Sequence, residues 1–79
     1  MAWRVVEHAD RRWNVWLAAE RRPNSPQWTL VFSFRTHGPE SRALWASYPL
    51  SASSKAALFA QAENLTNDVL AAFLAEQLA

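Results

Sequence analysis

The 79-residue chain contains no cysteine, a single glycine, a single lysine and no apolar run long enough to cross a bilayer. Without cysteine, neither a disulfide nor a thiolate metal site can brace the fold. With Gly38 alone, the glycine-rich loops that let backbone approach a phosphate are excluded, and with them the familiar nucleotide-binding motifs. A membrane-spanning helix needs about 18–20 consecutive apolar residues. The first ten residues carry charges at Arg4, Glu7 and Asp10 where a secretory signal would be apolar, so the expected location is cytoplasmic.

What is present is apolar and aromatic. Half of the residues (51%) are hydrophobic, and the ten aromatics include five tryptophans, each able to bury roughly 150–250 Å². Such a chain folds instead of remaining disordered, as one small domain over residues 1–79. A domain of this length buries only about 60% of its unfolded surface, so its core is marginal by size.

Charge and residue type shift near residue 50. Residues 1–42 hold seven arginines against four acids, a balance of +3, whereas residues 43–79 hold Lys55 against three acids, a balance of −2. Aromatic residues dominate the first part and the helix formers Ala, Leu and Gln the second. The order predicts strands and then helix, an α+β domain in which a four-stranded antiparallel meander carries one C-terminal amphipathic helix on one face.

Alternation and turn residues place the strands at about 3–8, 13–21, 27–36 and 42–48. The first link, Ala9 to Arg12, suits a hairpin. The second, Arg22-Pro23-Asn24-Ser25-Pro26, contains prolines that cannot join a ladder. The third, His37-Gly38-Pro39-Glu40-Ser41, has Gly38 for positive φ. The helix is expected over about 53–78, capped by Ser51, Ser53 or Ser54, with Leu58, Ala62, Leu65, Val69, Ala72 and Phe73 in its apolar stripe. Poor helix formers between Asn64 and Asp68 offer a break into two helices, with a second cap at Asn64 or Thr66, as the alternative.

The period of two assigns faces. Trp13, Val15, Leu17 and Ala19, with Trp28, Leu30, Phe32 and Phe34, should face the helix. In the outer strands Leu44, Ala46, Tyr48 and Leu50 are assigned inward, and so are Trp3 and Val5. The opposite face then carries Trp16, Val31 and Trp45 among Arg12, Asn14, Thr29, Ser33 and Arg35, with Arg4, Val6 and His8 at one side. A solvated face is normally polar, so two tryptophans beside arginines mark a surface that meets a partner. The expected role is a non-enzymatic interaction module whose partner is a protein or a second copy, with Trp16, Trp45 and Val31 as anchors and Arg12, Arg35 and Arg4 as polar rim. The alternative occupant is single-stranded DNA or RNA, its bases stacked on Trp16 and Trp45 and its phosphates on Arg4, Arg12 and Arg35. A third view curls the sheet so that Trp16 or Trp45 becomes core.

Catalytic and cofactor chemistry finds little purchase. His8 and His37 are the only neutral-pH bases, no nucleophile elbow surrounds any of the seven serines, and the seven acids are scattered. No metal-ligand spacing and no cofactor site is expected. The P-x-x-P of Arg21 to Pro26 reads as a hairpin loop, and the Asn64-Leu65-Thr66 acceptor as coincidence within a helix.

Overall fold

The computed structural model describes residues 2–79. Four strands, β1 (Arg4–His8), β2 (Arg11–Arg21), β3 (Trp28–Arg35) and β4 (Ala43–Ala52), are followed by two helices, α1 (Lys55–Ala62) and α2 (Asn67–Leu78). The sheet is antiparallel throughout, in the order β1-β2-β3-β4, so β1 and β4 are its edges.

Each link has a local cause. Ala9 and Asp10, with φ of 51° and 63°, close the β1–β2 hairpin as a two-residue turn of the kind whose twist suits paired strands. This turn is shorter than the four-residue link the sequence suggested. Pro23 and Asn24 (φ 67°) occupy the centre of a turn in which the Ser25 amide donates to the Arg22 carbonyl at 3.2 Å, as in a type II turn. Beyond β3, the Arg42 amide donates to Thr36 Oγ1 at 2.8 Å and the Thr36 amide to the Arg42 carbonyl at 3.0 Å, which closes the base of the 37–41 loop.

Strand β4 runs past its expected end. Its pairing steps from Val31↔Ser47 to Thr29↔Ser51, so four residue steps on β4 match two on β3. Pro49 sits in this bulge, where no ladder hydrogen bond is asked of it, and the strand continues to Ala52.

One continuous helix is also corrected to two. Ser54 caps α1 by accepting from the Ala57 amide at 3.1 Å, and Thr66 caps α2 by accepting from the Val69 amide at 3.2 Å. The four residues between the helices reset the helical phase. Leu70 and Leu74 become the buried positions of α2, while Val69, assigned inward from the sequence, is 38% exposed.

Both helices contribute to one core. Leu58, Ala62, Leu70 and Leu74 join Val6, Trp13, Val15, Leu30, Phe32 and Phe34 in it. Phe32 is its hub: its ring lies 6.2 Å from Trp3, 5.8 Å from Phe34, 5.4 Å from Tyr48 and 5.9 Å from Phe73. Edge-to-face and offset aromatic pairs at these separations add to the area they bury.

The hairpin turn also decides which face β1 buries. Pairing His8 with Arg11 sets Val6 opposite Trp13 and Arg4 opposite Val15, and directly paired residues share a face. Val6 is therefore core and Val5 lies outward at 41% exposure, the reverse of the expected assignment. Arg4, expected on the open face, is on the helix side. Its guanidinium donates to the Glu63 carbonyl at 2.9 Å and to the Leu65 carbonyl, and it stacks 4.2 Å from the Trp3 ring centroid. Trp3 Nε1 donates to Glu63 Oε1 at 2.9 Å. Residues 3 and 4 thus bind the carbonyl-rich turn where α1 ends, a place that favours cationic donors.

Candidate functional site

The face of the sheet away from the helices is built from five cross-strand rows. Glu7 pairs with Arg12; Val5, Asn14, Arg35 and Ala43 form the next row; Trp16, Ser33 and Trp45 the third; Ala18, Val31 and Ser47 the fourth; and Glu20, Thr29 and Ser51 the fifth. Side-chain size follows a pattern. The third row is large, small, large, and the fourth is small, medium, small.

The strands force this arrangement. β2 and β3 alternate strictly, so once Val15 and Phe34 pair in the core, Trp16 and Ser33 must pair on the other side. Ser33 and Val31 are only 4% and 8% exposed although no helix covers them, whereas Trp45 is 60% exposed. The two indoles flank the row centre and take the solvent contact that the small residues would otherwise have.

Three adjoining depressions cross this face. Trp16, Ser33, Arg35 and Trp45 bound a groove of about 270 Å³ between the indoles. Beyond Trp45, a second of about 360 Å³ has Ala18, Val31 and Ser47 in its lining. Beyond Trp16, a third of about 470 Å³ reaches Arg35, His37 and Arg42. The Asn14 side-chain amide is hydrogen-bonded to His37 Nε2. This bond ties the 37–41 loop to the third depression. A weak exposed ion pair, Arg11 to Glu40 at 3.4 Å, holds the loop from the side.

Of the six residues expected to form the site, Trp16, Val31, Trp45, Arg12 and Arg35 share this face, and Arg4 does not. The sequence reading passed over Ala18 and Ser47, which form the low row beside the indoles, and Glu20, which makes the far end acidic. Their signal was the same period of two that places Trp16 and Trp45 on this face. Arg42 was assigned to a strand start and instead flanks the third depression from the loop.

No cluster of three or more potential metal ligands occurs among the described residues, and no helix among them is long and apolar enough to cross a membrane. No protein-family model, no curated protein and no solved structure matches the chain.

Proposed function

We propose that this chain is a small protein-docking module that works by binding, not catalysis, through the open face of its sheet. The observation that carries the reading is the Trp16–Ser33–Trp45 row, with Trp45 60% exposed on edge strand β4 of a face no helix covers. Apolar and aromatic groups occupy the middle of this face, and Arg12, Arg35, Glu7 and Glu20 lie at its ends. An apolar centre enriched in Trp with a mixed-charge rim is the composition of protein interfaces.

Single-stranded nucleic acid draws its affinity from several phosphate contacts. Arg4 is committed to the interhelical turn, and Glu7 and Glu20 oppose phosphate on the same face. These points favour protein over nucleic acid.

The test is an amide and indole NH spectrum of labelled protein, titrated with a short mixed-sequence single-stranded oligonucleotide at low and then moderate salt. The docking reading expects the Trp16 and Trp45 indoles to stay in place. Shifts of both indoles that reverse on adding salt would transfer the face to nucleic acid.

A further inference from the structure

We infer that the occupant of the open face is a second copy of this chain, stacked sheet on sheet about a two-fold axis that runs across the strands. This rests on the docking reading above and specifies its partner. The argument is that the face is complementary to itself in shape and in charge about this axis.

A two-fold axis across the strands, passing between the third and fourth rows, reverses strand direction while keeping β2 over β2 and β3 over β3. It lays the Trp16–Ser33–Trp45 row of one copy on the Ala18–Val31–Ser47 row of the other. Each indole then sits over a small residue, Ala18 or Ser47, and Val31 sits over Ser33. The same operation brings the second row over the fifth, so Arg35 and Asn14 of one copy meet Thr29 and Glu20 of the other. Arg35 lies over Thr29 and Asn14 over Glu20, so Arg35 reaches Glu20 diagonally, across one strand spacing and a sheet separation of about 10 Å.

A two-fold axis parallel to the strands along β3 fails on both counts. It places Trp16 over Trp45 with Ser33 over Ser33, leaving a void between two colliding indole pairs, and it sets Arg35 over Arg35. Like charges opposed at an interface are costly. The overlap covers the second to fifth rows of β2, β3 and β4. Two copies also enlarge a core that is marginal for a chain of this length.

Sedimentation of the purified chain from micromolar to millimolar concentration tests the proposal, with circular dichroism to show that each variant is folded. The expected result is a dimer in which Trp45→Thr abolishes association. Glu20→Arg alone and Arg35→Glu alone should each weaken association about tenfold or more, and the double variant E20R/R35E should regain most of it, as a direct pair requires. A dimer indifferent to Trp45→Thr, or one that the double charge reversal does not rescue, overturns the arrangement. A folded monomer at millimolar concentration overturns self-pairing altogether. In that case a photo-crosslinker at Ser47 separates the two ideas: an adduct with a different protein that is lost in Trp45→Thr leaves docking intact without self-pairing, and no adduct removes both.

Discussion

The two faces of this sheet use the same residue type to opposite ends. On the helix side Trp13 is 1% exposed and Trp3 stacks on Phe32, so that indoles serve the core. On the other side Trp16 and Trp45 stand on either side of Ser33, and Trp45 keeps most of its surface in water. Burial is decided by what is stacked on a residue, not by its hydrophobicity. The helices supply that layer for one face, and nothing among the described residues supplies it for the other. A face that retains tryptophan without a cover is carrying an unmet burial of the sort that association satisfies.

The largest break in this comparison comes from its covered side. Replacing Phe32 with Ala removes the ring that touches Trp3, Phe34, Tyr48 and Phe73. Large-to-small changes at such sites cost about 3–5 kcal/mol through lost transfer energy and the cavity left behind. For a domain with little stability to spare, urea unfolding should show a protein partly or wholly unfolded in buffer. A loss below about 1 kcal/mol would mean that Phe32 is not the hub of the core.

Arg4 sharpens the comparison because it lies where the two faces were confused. Arg4→Met keeps much of the side chain's length and apolar body but deletes the donors to the Glu63 and Leu65 carbonyls and the charge over Trp3. The expected cost is about 1–2 kcal/mol, since the site is only part-buried and water replaces some of what is lost. Self-association, measured on the same preparation, should be unchanged. A variant with normal stability and weakened association would return Arg4 to the interface.

The element order, the antiparallel meander and the face assignments of β2 and β3 were legible because each rests on long alternation in which every second residue is large and apolar. Trp16, Val31, Trp45, Arg12 and Arg35 were legible as a group for the same reason. The face of β1 was not. Five residues with Val5 and Val6 adjacent fit either face, and the register that chooses between them is set by Ala9 and Asp10, neither of which is the Asn or Gly that announces a two-residue turn. The helix break carried a visible signal in Asn64 to Asp68. Its consequence, the move of the buried stripe to Leu70 and Leu74, depended on how many residues the turn would use. The extension of β4 past Pro49 required a bulge, which local sequence does not specify.

Ala9 leads to a prediction of opposite sign. An alanine at φ 51° bears the Cβ–carbonyl crowding of the left-handed region, a cost of about 1–2 kcal/mol that asparagine lessens by local hydrogen bonding. Ala9→Asn should therefore stabilise the monomer by about 0.5–1 kcal/mol in urea unfolding, with the β1–β2 register retained. Destabilisation would indicate a different turn, and with a different turn the placement of Val6 and Arg4 would also fall.

Trp45→Thr gives the smallest expected change in monomer stability and asks the sharpest question of the open face. Threonine keeps the β-branched preference for strand, so intrinsic propensity is nearly held constant. The indole it removes is 60% exposed and pairs with Ser33, a residue with few atoms to offer it. At concentrations where the wild type is monomeric, the unfolding free energy should change by no more than about 0.5 kcal/mol, as for ordinary surface substitutions. Phe32→Ala and Trp45→Thr would then differ several-fold in effect although both truncate an aromatic residue on the same sheet, and the difference would lie wholly in the helices that cover one of them. If Trp45→Thr instead costs several kcal/mol in the monomer, the indole is buried by the chain itself, the sheet curls over its open face, and the two faces are one core. At concentrations where the wild type associates, the same substitution should lower the apparent stability by the linked free energy of the dimer, so the gap between variant and wild type should widen with protein concentration. A gap that stays constant over the whole range would show that Trp45 acts within one copy.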